Sequence, residues 1–484
     1  MRFISTRGGA PAATAPEAVL EGLAPDGGLY MPDKLPRLFE NKSEGPDYAS
    51  LAASVFSALL PGFSPNDCAR TARDAYGAQF DDPAITPVRQ AGDVFVLELF
   101  HGPTAAFKDL ALQALPRFMA LAREKLAPDK KIMVLTATSG DTGSAAMRGF
   151  CDLPGFRVLV YYPKDGVSAV QRGLMLTMQG SNLEAVAVLG DFDAAQAGVK
   201  AAFQAGVTPS NLQLSSANSI NIGRLVPQVV YYAAACRALV ARGAAKPGDL
   251  IDFFVPTGNF GDIFAGFLAR EMGLPIGQLV CASNANRVLT DFLKTGVYDR
   301  RRPLQKTLSP SADILVSGNL ERLLFVSSGG DAPLIKGLMD QLTQKGFYQV
   351  PENQMQKIRE IISADSATDE QTLLVIRDVW ETRQTLLDPH TALAWHALRQ
   401  LQNAPRRPRV VLATASPFKF PQAMCEALGV RNPPEAHAME ALAEKTGLLP
   451  PEPLRGLTQK PVLRDGTIRP EDLVSDALGR AKAW

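Results

Sequence analysis

The chain has 484 residues, 46% hydrophobic and 20% charged, a length sufficient for roughly three average domains. Fifty basic residues stand against 49 acidic ones, a net charge of +1, which argues against nucleic acid or an anionic membrane surface as a partner. Five scattered cysteines fit reduced, buried thiols better than a disulfide frame, and with four dispersed histidines no metal site is expected.

The first residues, MRFISTRGGAPAATAPEAV, contain no apolar core of signal-peptide length, and no later run approaches a membrane span, so a soluble cytoplasmic protein is expected. Residues 1–90 are rich in Pro, Gly and Ala, with short helical patterns over Tyr48 to Leu60 and Pro65 to Tyr76. The turn-dense stretch Gly22 to Pro32 (GLAPDGGLYMP) suits a small leading domain that closes over something else.

From about residue 94 short β-branched runs alternate with helical ones. Strands are expected at Val94 to Leu99, Ile132 to Thr138, Arg157 to Tyr162, Leu183 to Leu189, Leu212 to Ser216, Ile251 to Val255 and Leu279 to Ala282. That rhythm predicts parallel strands with helices on both faces, and ligands at the carboxyl ends of the strands. Beyond about 300, a turn at Val326 to Asp331 leads to helical patterns at Ala332 to Gly346, Glu352 to Ala364, Asp369 to Gln384 and His390 to Gln402. A last strand follows at Arg409 to Thr414. The tail from Pro451 to Trp484 has excess Pro and charge and carries no functional signal.

Three stretches carry chemistry. In His101 to Gln113 (HGPTAAFKDLALQ), Gly102 and Pro103 break a strand, and Lys108 sits one turn into a helix whose apolar face is Phe107, Leu110, Ala111 and Leu115. An amine there is partly desolvated, which favours its neutral form and Schiff-base chemistry. Taken alone, the stretch reads as a solvated lysine on an ordinary helix. Thr138 to Ala146 (TSGDTGSAA) and Thr257 to Gly266 (TGNFGDIFAG) each leave a strand and open a helix. Glycines let the backbone approach a ligand, and the free N–H groups of a helix start favour an anion. Neither loop carries the G-x-x-x-x-G-K-[ST] or G-x-G-x-x-G pattern, and either could be an ordinary turn. An amine for an aldehyde, one cradle for a phosphate and a second for a substrate carboxylate together fit pyridoxal 5'-phosphate (PLP).

The segments STRG (Ser5 to Gly8), GLAPDGGLYMP, HGPTAAFKD, TSGDTGSAA, SANSINIGR (Ser216 to Arg224), TGNFGD and TLSPSADI (Thr307 to Ile314) together resemble threonine synthase of the longer bacterial and fungal type. The similarity runs from the first residues to about Thr414. It implies an α/β, tryptophan-synthase β-like (fold-type II PLP) architecture: two α/β domains with the cofactor between them, plus a small N-terminal domain. On that reading residues 1–90 are the N-terminal domain and 91–330 the PLP-binding core, with a smaller subdomain at about 95–215. Residues 331–484 complete the large domain.

By resemblance Lys108 binds the cofactor aldehyde and, once released by substrate, serves as general base and acid. Gly258, Asn259, Phe260, Gly261 and Asp262 match the loop that holds the cofactor phosphate, the Asp262 carboxylate turning away to fix the loop. Thr414 matches the hydroxyl at the pyridine nitrogen. The implied reaction converts O-phospho-L-homoserine and water to L-threonine and phosphate. Ser139, Gly140, Asp141 and Thr142 are then candidates for the substrate carboxylate, and Lys164, Ser168, Asn218, Ser219, Asn221 and Arg224 for its phosphate. A monomer or homodimer is expected. One departure stands out: Ser416 occupies the place of a histidine in the family's Thr-Ala-His-Pro motif. Rival readings are a threonine or serine dehydratase of the same PLP class, a silent homologue that binds phosphorylated metabolites, and, weakest, a nucleotide-binding enzyme.

Overall fold

The computed structural model describes residues 1–39, 47–205, 209–401, 407–431 and 433–484. In chain order, β1 (Phe3–Ser5) pairs antiparallel with β2 (Tyr30–Pro32), and β3 (Val88–Ala91) with β4 (Val94–Glu98). There follow β5 (Lys131–Ala137), β6 (Phe156–Pro163), β7 (Leu183–Val188), β8 (Leu212–Ser216), β9 (Ile251–Pro256) and β10 (Ile276–Ser283). A short antiparallel pair, β11 (Val297–Asp299) with β12 (Phe347–Gln349), precedes β13 (Ile362–Ser366), β14 (Arg409–Ala413) and β15 (Thr467–Ile468).

Two sheets result. One has six strands in the order β13-β10-β9-β14-β4-β3, the other five in the order β15-β7-β6-β5-β8. All neighbours within them are parallel except the β3–β4 pair. Runs such as Ile251–Pro256 are buried along their whole length, as a parallel strand covered by helices on both faces requires. Every strand expected from residue 94 onward forms.

Three expectations need correction. The helix expected over Glu352 to Ala364 stops at Arg359, and Ile362–Ser366 extends as an edge strand on β10. Only Ile362 of that strand is fully buried, so it lacks the apolar run of an internal strand. Second, β4 lies in the six-stranded sheet, so the smaller sheet begins at β5 rather than near residue 95. Third, the tail does not complete the larger sheet. β15 adds to β7, which would otherwise be an exposed edge, and the helix Leu473–Lys482 buries Leu473, Ala477 and Ala481 in the core formed by Met133, Leu135 and Val188. The helix expected to reach Gln402 is Pro389–Gln400; Gln402 itself lies outside the described residues.

The leading segment joins the two halves. Ser215 Oγ donates to Leu20 O (2.8 Å) and Asn221 Nδ2 to Val19 O (3.0 Å), at the end of β8. On its other side Thr6 Oγ1 donates to Glu321 Oε1 (2.6 Å), and Arg7 pairs with the same carboxylate at 2.8 Å. Among the described residues no helix is long and apolar enough to cross a membrane.

Candidate active site

The loops singled out by chemistry leave the carboxyl ends of five parallel strands: β4 into residues 99–107, β5 into 138–140, β8 into 217–221, β9 into 257–260 and β14 into 414–416. In α/β sheets this is where ligands bind.

Lys108 is placed by two backbone seams. Phe107 N donates to Thr414 O (2.8 Å) and Ser416 N to Ala105 O (3.0 Å), so the strand ends at 99–107 and 414–416 are sewn together. Ala105 turns the chain with φ of 53°, a left-handed conformation that a non-glycine residue adopts at a cost of roughly 1 kcal/mol. Asp109 holds the same turn, accepting from Thr104 N (2.8 Å) and Thr104 Oγ1 (2.7 Å). Burial pushes its carboxyl up to about 6. Gly102 is required here, since a Cβ would lie 2.5 Å from Asp109 Cβ.

The Lys108 side chain is 11% exposed, and its Nζ donates to Asp141 Oδ2 (3.1 Å) and Ser311 Oγ (3.2 Å). Burial lowers the proton affinity of this amine; Asp141 opposes that, while Lys419 and Arg224 reinforce it. Asp141 is itself the hub of a buried cluster. Its Oδ1 lies 2.7 Å from Lys419 Nζ and accepts from Gln171 Nε2 (2.9 Å). Burial pushes the Asp141 carboxyl up, but the two ammonium groups outweigh it and hold the group well below the usual range.

The two glycine loops differ in what they leave free. The helix Gly261–Glu271 has no side-chain cap, unlike the helices that start after Ser168 and Asn221. Ser317 Oγ donates to Gly258 O (2.9 Å), and Asn319 N and Nδ2 donate to Asn259 O (3.1 and 3.0 Å). With the loop carbonyls held and Phe260 in the left-handed region at φ 62°, the first N–H groups of the helix are open to an anion. A Cβ on Gly258 would meet Ser311 O at 2.4 Å, so this loop packs directly against the one that reaches Lys108. The Asp262 carboxylate is directed to Tyr231 Oη (2.6 Å) and Tyr232 Oη (2.9 Å), and burial pushes it up to about 6. In the other loop, Thr138 Oγ1 already accepts from Gly140 N and Gly143 N, both at 2.9 Å. Ser139 and Thr142 flank Asp141 on that turn.

Of the residues expected at a phosphate, the structure brings Ser219 and Arg224 to this place and commits others elsewhere. A Cβ on Gly261 would lie 3.7 Å from Ser219 Cβ. Arg224 is buried; its Nη1 donates to Ala217 O (2.6 Å) but its Nε has no partner, and burial pulls its guanidinium down to about 10. Asn218 Oδ1 is likewise buried and unpartnered. The orphaned Arg224 Nε donor, beside an uncapped helix start and a buried amine, fits an anionic ligand; Asn218 Oδ1 is an acceptor and does not itself favour one. By contrast Asn221 caps its helix and binds Val19 and Ser216, and Ser168 caps its helix and donates to Lys419 O (3.1 Å). Lys164 is exposed at the end of β6.

Reading the sequence alone missed Lys419, Gln171, Ser311 and His390. His390 Nε2 accepts from Ser311 N (3.1 Å), and its Nδ1 lies 2.9 Å from Asp388 Oδ1. It therefore orients the Ser311 loop. The signals existed: Ser311 lies within TLSPSADI and Lys419 follows Thr414 by five residues. Ser416 caps the turn Pro417–Lys419 with its hydroxyl.

Comparison with known proteins decides the family. Residues 2–76 match the family described as threonine synthase N terminus, 83–415 that of pyridoxal-phosphate dependent enzymes, and 391–454 threonine synthase, C-terminal. The chain is 41% identical over 439 residues to a threonine synthase of Pseudomonas aeruginosa, covering 90% of this chain and 92% of that one.

The chain belongs to the threonine synthase family.

A threonine synthase-like 1 protein of Macaca fascicularis is also 41% identical, over 86% of this chain but 58% of its own length. The crystal structure of PLP-bound threonine synthase from Brucella melitensis superposes with a TM-score of 0.88 at 37% identity, covering 100% of this chain and 99% of that one. Membership makes this chain a PLP-dependent lyase of the threonine synthase type and gives it the fold-type II architecture described above.

Proposed function

We propose that the protein converts O-phospho-L-homoserine and water to L-threonine and phosphate, with Lys108 as covalent anchor and proton carrier. The observation that carries this reading is the juxtaposition of a buried amine, an uncapped helix N-terminus and a buried, unpartnered guanidinium nitrogen. When bound, PLP supplies an electron sink for removal of the substrate α- and β-protons. Lys108, released by substrate, holds and returns those protons. Gly258 to Asp262 would hold the cofactor phosphate through backbone N–H groups, and the Thr414 hydroxyl would serve its pyridine nitrogen. The turn Ser139 to Thr142 receives the substrate carboxylate. Arg224, with Asn218 and Ser219, binds the substrate phosphate and so distinguishes phosphohomoserine from unphosphorylated amino acids. Ser168, Asn221 and Lys164 are set aside, the first two because their polar atoms are already bonded.

The test is one assay that follows phosphate release and threonine formation together. Equimolar appearance of both from phosphohomoserine is expected, with no comparable deamination of threonine. Deamination of threonine at an equal rate would indicate a dehydratase, and an absence of either product a silent homologue.

A further inference from the structure

We propose that Lys419 is a positioning residue for this reaction: it is the permanent counter-ion of Asp141, holding that carboxylate charged and in place while Lys108 alternates between covalent attachment and a free amine. The inference rests on the assignment of Lys108 as the cofactor-binding lysine.

The argument begins with the number of charges. Asp141 is buried and faces two lysines, Lys108 through Oδ2 and Lys419 through Oδ1. A buried carboxylate held ionised well below the ordinary range, as Asp141 is and Asp262 is not, requires a compensating cation, because removing it leaves a charge unpaired in the interior. Lys108 cannot fill that role throughout, because its amine carries no fixed ammonium charge during turnover. Lys419 can: its side chain is 0% exposed and its Nζ is committed to Asp141 and to Thr104 O.

The bonding of Lys419 is also what a positioning residue needs. Its Nζ donates to Thr104 O (2.8 Å), four residues before Lys108. Its carbonyl accepts from Ser168 Oγ (3.1 Å), the cap of the helix that carries Gln171, and Gln171 Nε2 is a further donor to Asp141, beside Ser311 Oγ. The turn Pro417–Lys419 thus ties together the segment bearing Lys108, the helix beginning at Asp141 and the helix beginning at Ala169.

The sign of the effect follows. The charged groups around Lys108 are Asp141, Lys419, Arg224 from the helix Ile222–Ala241, and Asp109 on its own helix; Ser311 is neutral, with His390 behind it. With Lys419 present, Asp141 is matched and the positive surroundings favour a neutral Lys108. Removing the Lys419 charge leaves Asp141 to Lys108 alone, so Lys108 holds its proton to higher pH.

The experiment uses the full-length holoenzyme and Lys419→Met, Lys419→Arg and the double variant Asp141→Asn/Lys419→Met. The rising limb of kcat against pH is expected to move up by about one pH unit or more in Lys419→Met. It is expected to stay in place in Lys419→Arg and to return towards the wild-type position in the double variant. Retained visible absorbance of the bound cofactor establishes that each variant is folded and loaded. An unmoved limb in a loaded Lys419→Met protein overturns the proposal. If that variant does not load, a double variant whose limb is displaced upward by one unit overturns it instead. Absence of cofactor absorbance in the wild type would defeat the assignment of Lys108, a different failure.

Discussion

The two glycine loops each put an aspartate into the first turn of a helix and use it in opposite ways. Each leaves a buried parallel strand, turns through a residue with positive φ (Gly140 or Phe260) and opens a helix with an aspartate in its first turn. Asp141 faces two lysines and is held ionised well below the ordinary range. Asp262 faces two tyrosine hydroxyls and is pushed up by burial to about 6, with Oδ2 left unbonded. The first carboxylate is electrically coupled to the reacting amine. The second anchors a loop whose N–H groups are the useful part. An acidic residue beside an anion site is therefore informative only with its partners: cations mark participation, and neutral donors mark anchoring.

The largest expected effect that sharpens this contrast is on Asp141→Asn. It leaves Lys419 buried without a counter-ion, which should cost about 3 kcal/mol of stability. By mispositioning Lys108 it should also lower kcat on the order of a hundredfold. Thermal melting and the threonine assay check both. An active, fully stable variant would show that the ion cluster is incidental.

Asp262→Asn should behave differently, with most of the activity retained and the change appearing in stability against pH. Because the folded Asp262 is raised above its unfolded value, its contribution is fully present below about pH 4 and is lost as pH rises through about 6. The difference in stability between wild type and variant should therefore shift in the variant's favour across that window, by about 3 kcal/mol in total. Denaturant melts at a series of pH values measure it. Parallel curves would remove the distinction between the two aspartates.

Much of this site could be read from the sequence because local chemistry announces it. HGPTAAFKD, TSGDTGSAA and TGNFGD each combine turn residues, a strand before and a helix after, and all three lie at strand ends as expected. Lys419 was less legible. Its nearness to Thr414 marks the segment but not the side chain's role, which arises from Asp141, 278 positions away in the chain. His390 likewise acts through a backbone N–H, which leaves no mark on the pattern. The misread parts of the fold are edges: β13 shows little apolar alternation, and β15 is a two-residue pairing whose register is set entirely by β7.

The central claim is that, of two buried lysines sharing one carboxylate, Lys108 carries the cofactor and Lys419 carries only charge. Reducing the holoenzyme with borohydride, digesting it and locating the pyridoxyl group by mass spectrometry tests this directly. The account predicts modification confined to the peptide containing Lys108, with none on the peptide containing Lys419. A pyridoxyl group on Lys419, or on neither lysine in a protein that shows the cofactor's visible absorbance, would contradict it.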